Sequence, residues 1–337
     1  MRAARLLPGE DRLVVTSVPT PDPVGTEVLV RVVAAGVCRS DVHVLDGEFP
    51  ELVAPPVIPG HEIAGVVEAV GPGHEGVPTR TPVSVMVGWG CSTCQWCRSG
   101  HEQLCPDGVE AGATADGGFA EYVLVPHGRF LVPLGGLDPL EATPLGCAAL
   151  SAYAAFRRVR PWLDDGGTLV VIGVGGLGQY MVHYARALTG ATIVAVDRRE
   201  EALRRAIEIG AHDVARAEDD DTSAALGELS QTASAVTDFV GTDATLALAA
   251  RTVAARGVVA VLGLAGGTFP FGFFTTAPES TFTTVHAGTV SDLHEVVDLA
   301  RTHPLPVPLV EYRLDDVNEA IDDVRRGQII GRAVIRP

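Results

Sequence analysis

The stretch TLVVIGVGGLGQYMVHYARALTGATIVAVD, residues 168–197, decides the fold. TLVVIGV is an apolar, β-branched run and reads as a strand. QYMVHYARAL has helical spacing, and ATIVAV is a second strand ending at Asp197. Between the first strand and the helix stand Gly173, Gly175, Gly176 and Gly178. A strand, a glycine turn, a helix and a second strand form the unit from which a doubly wound parallel sheet is built. The glycines let a backbone approach a pyrophosphate, and the free N–H groups at the helix start hold it. Asp197, 19 positions after Gly178, is placed to accept hydrogen bonds from adenosine ribose hydroxyls and to repel a 2′-phosphate. That favours NAD over NADP. Arg198 and Arg199 pull the other way, because an arginine there can meet a 2′-phosphate. A glycine turn in a cofactor-free α/β fold is the bland alternative.

Downstream the alternation continues. EEALRRAIEIGA reads as a helix, VTDFVG as a strand, TLALAARTV as a helix and RGVVAVLGLAG as a strand. The aromatic run FPFGFFTTAPESTF is β-prone, suited either to an edge that pairs across a subunit interface or to core. SDLHEVVDLARTH and VEYRLDDVNEAIDDVRRGQIIGRAVIRP predict two helices and a closing strand that rejoins the sheet of the first domain. Upstream, the first ~150 residues read as short strands, a partly open β-barrel. TEVLVRVVAAG is one such strand, ended by Gly36. LDGEFPELVAPPVIPG is proline-rich and suits a loop walling a cleft.

The chemistry sits mainly in that first part. GVCRSDVH, residues 36–43, puts Cys38, Ser40, Asp41 and His43 within six residues, with Arg39 among them. PGHE adds His61 and Glu62, and LGCAAL adds Cys147. Two thiolates and an imidazole from separate segments make a catalytic zinc set, with the fourth position open. A lone buried cysteine or histidine is more often plain core; it is the set that points to metal. CSTCQWCRSGHEQLC carries Cys91, Cys94, Cys97 and Cys105 with intervening gaps of two, two and seven residues. Four thiolates in one short polar loop are a closed structural site. An iron–sulfur cluster also takes four cysteines, but neither ferredoxin spacing fits. Zinc is the better match, and all six cysteines are then used.

Length and charge bound the rest. The 337 residues suit about two domains. A formal charge of −17 excludes a general binder of nucleic acid or anionic membrane, which needs a basic face. No apolar run approaches the ~20 residues of a membrane span. MRAARLLPGEDRLVV lacks the apolar core of a signal peptide. The expectation is a cytoplasmic protein whose cysteines are thiols or metal ligands.

Together, GVCRSDVH, PGHEIAGVV, CSTCQWCRSGHEQLC, PLGCAALSAY, VIGVGGLG and AVD resemble the zinc-dependent alcohol dehydrogenases of the medium-chain dehydrogenase/reductase family, in the family's order and over essentially the whole chain. The resemblance implies a GroES-like catalytic domain, residues 1–149 and 285–337, and a Rossmann NAD-binding domain, residues 150–284. It implies two zinc ions per subunit, one catalytic on Cys38, His61 and Cys147 and one structural on Cys91, Cys94, Cys97 and Cys105. Ser40 is similar to the hydroxyl that contacts the substrate oxygen, and His43 to the outer end of a proton relay through the nicotinamide ribose. Asp41 and Glu62 resemble carboxylates beside the zinc, Glu62 also an alternate ligand. Arg39 and Arg332 resemble pyrophosphate contacts, while Leu177 and Ser151 match positions near the nicotinamide. Phe49 and Trp89 resemble pocket-wall positions; ordinary packing is the alternative for both and for Leu177. One departure is Ser40 where the family commonly has threonine, which leaves more room beside the substrate carbon.

The expected activity is reversible NAD-linked oxidation of primary or secondary alcohols to aldehydes or ketones. The apolar wall candidates suit a neutral substrate. A polyol or sugar dehydrogenase of the same superfamily is the near rival, and it would need several polar groups in the pocket. A non-catalytic zinc- and nucleotide-binding scaffold is the rival from another class. It would be expected to lose Ser40, His43 or an open-site ligand, and none is missing. The expected assembly is a homodimer or homotetramer, with a small molecule as substrate and neither nucleic acid nor membrane as partner.

Overall fold

VLVRVVAAG, Val28–Gly36, runs through the middle of a seven-stranded sheet, buried along nearly its whole length. The computed structural model describes residues 1–48, 53, 55–217 and 231–337. Phe49 lies outside the described residues. Two units are distinguished: Met1–Leu150 with Gly288–Pro337, and Ser151–Ala287.

The first unit holds β1 (Arg2–Arg5), β2 (Val14–Ser17), β3 (Val28–Gly36), β4 (Glu62–Val70), β5 (Pro82–Val85), β6 (Gly88–Trp89), β7 (Val109–Glu110), β8 (Tyr122–Val125) and β9 (Leu131–Pro133). The second holds β10 (Thr168–Ile172), β11 (Thr192–Asp197), β12 (Asp213–Arg216), β13 (Ala233–Asp238), β14 (Val253–Val261) and β15 (Thr281–Thr284). The chain then returns to the first unit as β16 (Leu309–Arg313) and β17 (Arg332–Arg336). The helices among the described residues include α1 (Arg39–Leu45), α2 (Gln95–Arg98), α3 (Ala148–Val159), α4 (Gly178–Leu188), α5 (Glu200–Ile209), α6 (Asp243–Thr252), α7 (Val290–Thr302) and α8 (Val317–Arg325).

In the first unit the order is β16-β17-β3-β4-β5-β9, with β8 also pairing β3, a partly open barrel. Strand β17 lies antiparallel to β3, with Val334 opposite Gly36 and Ile335 opposite Ala35. The C-terminal strand thus closes against the strand that delivers Cys38. The β3–β4 register puts Gly36 opposite Glu62. A Cβ on residue 36 would stand 1.8 Å from Glu62 Oε2, so only glycine fits.

The second unit is a fully parallel sheet in the order β12-β11-β10-β13-β14-β15. Its inner strand β10 is a nearly continuous apolar run, as a buried parallel strand requires, while edge strands β12 and β15 are polar. Val170, Ile172, Val194, Val196, Val236 and Val259 pack with Leu248 and Ala249 of α6. The order reverses between β10 and β13, and ligands bind at the carboxyl ends of strands at such a reversal. The aromatic run divides. Phe282 on edge strand β15 packs against the core, whereas Phe273 and Phe274 are 90% and 96% exposed. Among the described residues no helix is long and apolar enough to cross a membrane.

Val334 and Ile335 are fully buried, and each contributes about 1.5–3 kcal/mol by leaving water. Truncation before Arg332 also removes the strand that pairs with both β16 and β3. The shortened chain is expected to lose cooperative unfolding of the first unit, followed by circular dichroism against denaturant. A wild-type unfolding midpoint would refute this placement of β17.

Candidate active site and metal centres

Strand β3 ends at Gly36, and Cys38 follows as the residue from which α1 starts. Asp41, in the first turn, accepts the Cys38 amide on Oδ2 at 2.7 Å. Its other oxygen, Oδ1, lies 3.2 Å from His61 Nδ1. This carboxylate is buried, and it fixes His61 with the hydrogen on Nδ1 and Nε2 free to ligate. Ser40 Oγ stands 3.4 Å from that Nε2. His61 itself precedes β4, and Cys147 precedes α3. The donor atoms of Cys38, His61 and Cys147 lie within 4.8 Å of one another.

Electrostatics favour a cation here. A hydrogen bond from Cys147 holds the Cys38 thiol well below its ordinary range, helped against burial by the Arg332 charge and His61. That same bond, with burial, pushes Cys147 up. Burial works against a charged His61, but the Asp41 charge and hydrogen bond outweigh it and hold the imidazole well above its usual range. Two sulfurs and an oriented imidazole nitrogen at this spacing fit a zinc ion with one position left open.

Behind them, Glu62 is fully buried. Its Oε1 accepts the Ala148 amide at 3.0 Å and its Oε2 accepts Arg332 Nε at 2.6 Å. Both oxygens are thus engaged, and Glu62 ties the start of α3 and β17 to β4. Burial raises the Glu62 pKa against the pull of Arg332. Arg332 Nη2 is buried without a hydrogen-bond partner among the described residues. Arg39 reaches α8, where its Nη1 donates to the carbonyls of Arg325 at 2.9 Å and Val324 at 3.3 Å. His43 Nδ1 lies 2.6 Å from Glu48 Oε2, a partner that motif reading passed over. Its only sequence signal is an acidic residue just past the glycine that ends α1. Trp89 is buried on β6, with its indole N–H donated to Met86 O at 2.7 Å.

The second cluster joins Cys91, Cys94, Cys97 and Cys105 around the single turn of α2. The Cys94–Cys97, Cys94–Cys105 and Cys91–Cys97 sulfur separations are 3.6, 3.8 and 4.0 Å. Four sulfurs tetrahedral about zinc at ~2.3 Å would be about 3.8 Å apart. Amides point at the same sulfurs: Cys91 N–H to Cys105 at 3.3 Å, Cys94 N–H to Cys91 at 3.4 Å. Thr93, through its hydroxyl and amide, lowers Cys91 to about 6, whereas burial raises Cys97 to about 12. Among the described residues these two clusters are the only His, Cys, Asp and Glu groups set for a metal.

In the second unit, Gly173 follows β10 at φ +81°. A Cβ on Gly178 would stand 2.0 Å from Gly173 O, so α4 can start this close to the strand only with glycine there. Gly175 and Gly176 complete the turn, and Leu177 caps α4. Asp197, at the end of β11, accepts the Val174 amide at 2.8 Å and the Arg199 amide at 2.9 Å. Arg199 Nε lies 3.5 Å from the same carboxylate, and its Nη2 would stand 3.6 Å from a Cβ on Gly175. Arg198 is exposed, and Ser151 is half-buried in the first turns of α3. The tight turn, the helix start and the acidic residue fit a dinucleotide.

Residues 25–136 match the family described as alcohol dehydrogenase GroES-like domain, and residues 176–302 the one described as zinc-binding dehydrogenase. The chain is 38% identical to the NAD-dependent alcohol dehydrogenase of Sulfurisphaera tokodaii, over 100% of both chains. It is 34% identical to the D-arabinose 1-dehydrogenase (NADP(+)) of Saccharolobus solfataricus, over 100% of this chain and 97% of that one. Among solved structures, the alcohol dehydrogenase of Aeropyrum pernix is similar with a TM-score of 0.93 and 31% identity, covering 100% of each chain.

Elemental analysis of the purified protein is expected to find two zinc ions per chain. Cys94→Ser is expected to leave one and to lower the thermal midpoint; Cys147→Ser is expected to empty the open centre alone. Unchanged zinc content in Cys147→Ser would remove that centre.

Proposed function

Because this chain belongs to the zinc-dependent alcohol dehydrogenases of the medium-chain dehydrogenase/reductase family, we propose that it catalyses the reversible NAD-linked oxidation of primary or secondary alcohols to aldehydes or ketones. The observation that carries this is the three-ligand cluster with the Ser40 hydroxyl 3.4 Å from His61 Nε2. Zinc, when held by Cys38, His61 and Cys147, supplies the Lewis acidity that makes an alcohol easier to deprotonate at neutral pH. NAD, when bound, supplies the hydride acceptor.

The chain's own groups do the rest. Ser40 accepts the alcohol proton, and His43 passes it to solvent as the outer end of the relay. Asp41 keeps His61 in its ligating tautomer. On the cofactor side, the turn Gly173–Gly178 and the α4 start receive the pyrophosphate, with Arg39 and Arg332 as further contacts. The partnerless Arg332 Nη2 supports that role for Arg332. Asp197 selects the unphosphorylated ribose, with Arg198 and Arg199 beside it. Leu177 and Ser151 flank the nicotinamide, and Trp89 walls the substrate pocket. The enzyme works in the cytoplasm as a homodimer or homotetramer; the exposed Phe273 and Phe274 support self-association.

A second reading, a sugar or polyol dehydrogenase, is favoured by the 34% identity to a D-arabinose 1-dehydrogenase. One panel separates the readings. Simple alcohols with NAD should produce NADH absorbance that a chelator abolishes, and Ser40→Ala should lower kcat by about 100-fold. Faster turnover of sugars would favour the second reading, and binding without turnover across the panel would favour a scaffold.

Asp197→Gly removes the negative charge that opposes a 2′-phosphate. Its NADP-to-NAD ratio of kcat/KM is expected to rise by about tenfold or more, the equivalent of ~1.4 kcal/mol. An unchanged ratio would take Asp197 out of cofactor selection.

A further inference from the structure

Asp238 ends β13, the strand beside β10 at the reversal of strand order, and has no exposed surface. Two loops hang on it. Its Oδ1 accepts the Val240 amide at 2.8 Å and the Gly241 amide at 3.0 Å. Its backbone carbonyl accepts the amides of Leu262 at 2.8 Å and Gly263 at 3.1 Å, just past β14. The two loops lie backbone against backbone. A Cβ on Gly241, which has φ +78°, would stand 2.3 Å from Gly263 O, and one on Gly263 would stand 2.0 Å from the carbonyl carbon of Val240. Val240 meets the glycine turn itself, since its Cγ2 would stand 2.7 Å from a Cβ on Gly173. Burial raises the Asp238 carboxyl, and the Val240 amide, the Thr245 hydroxyl and the Gly241 amide draw it back.

We propose that Asp238 is a positioning residue for the cofactor, holding Val240 against the Gly173 turn and so shaping the half of the nucleotide site that lies on the β13 side of the reversal. The proposal rests on the reading of that turn as a dinucleotide site. A dinucleotide lies across such a reversal, with one mononucleotide on each side. Asp197, at the end of β11, takes the adenosine half, so the nicotinamide half falls on the β13 side, where Val240 stands. Asp238 lies beneath the loop and touches neither cofactor nor substrate in this scheme. It acts through Val240. What the loop takes from it is an acceptor oxygen rather than a charge, and the side-chain amide of an asparagine offers one as well.

The test measures binding of NAD and of adenosine monophosphate to the zinc-loaded protein by titration calorimetry. Asp238→Leu leaves two loop amides without their acceptor and should weaken NAD about tenfold, with adenosine monophosphate held within about twofold of wild type. In turnover the loss should appear in KM for NAD more than in kcat. Asp238→Asn should bind NAD within about twofold of wild type. Val240→Ala leaves the buried acceptor in place and should show the same split between the two nucleotides, so it decides the matter even where Asp238→Leu fails to fold. Asp238→Leu added to Val240→Ala should weaken NAD little further. Equal weakening of both nucleotides would mark a general loss of structure, and wild-type NAD binding in Asp238→Leu or in Val240→Ala would mark an idle side chain; each overturns the proposal. A wild-type protein that binds neither nucleotide would sink the dinucleotide reading, and the proposal with it.

Discussion

The site depends on one buried carboxylate. Glu62 opens β4 with no exposed surface, and its two oxygens bind the Ala148 amide and the Arg332 guanidinium. A charge in that position without partners would cost several kcal/mol, and removing either member of a buried pair typically costs about 3–5 kcal/mol. The pair adds less to net stability than that figure, because burying both ions is itself expensive. Its effect is on register. His61 is the residue before Glu62, Cys147 is the residue before Ala148, and Arg332 opens the closing strand. One carboxylate therefore brings two of the three residues of the Cys38, His61 and Cys147 cluster to a common point. Gly36 makes the arrangement possible, since a side chain there would occupy the place of Glu62 Oε2.

Helix α1 sorts four candidate-site side chains within one short element. Asp41 turns inward to the Cys38 amide and His61, while Arg39 turns outward to the carbonyl end of α8. The two helices are pinned reciprocally: Arg325 of α8 reaches Asp46, the cap of α1, at 2.7 Å. Each arginine meets a helix end where a cation is favoured or a carboxylate that pairs with it. Ser40 and His43 are three residues apart and share the remaining face. A seven-residue helix is too short to be stable alone, so these tertiary contacts give it its orientation.

The four-cysteine lobe answers to a different constraint. It has the two-residue strands β6 and β7 and the single-turn helix α2, and little apolar core. Sulfur separations close to the edge of a tetrahedron, and amides aimed at the sulfurs, show a loop shaped to a metal rather than packed by side chains. In so small a lobe, metal binding supplies free energy that burial cannot.

Much of this was legible in the residues alone, because local pattern encodes local structure. The apolar run, glycine turn and helix of residues 168–188 specify a strand–turn–helix unit, and the close approach of Gly178 to Gly173 is the reason the glycines are there. The spacing of the four cysteines specifies a closed site because all four ligands come from one loop. Residue type and order also named Cys38, His61 and Cys147. Their convergence came from tertiary structure, since it depends on the β3–β4 register and on Glu62 meeting Arg332 270 positions away. The division of the aromatic run was likewise decided by tertiary packing, which half-buries Phe282 on β15 against the core and leaves Phe273 and Phe274 in water. Periodicity reports which face of an element is apolar; which distant element covers that face, or pairs with a buried charge, is settled only when the sheets form.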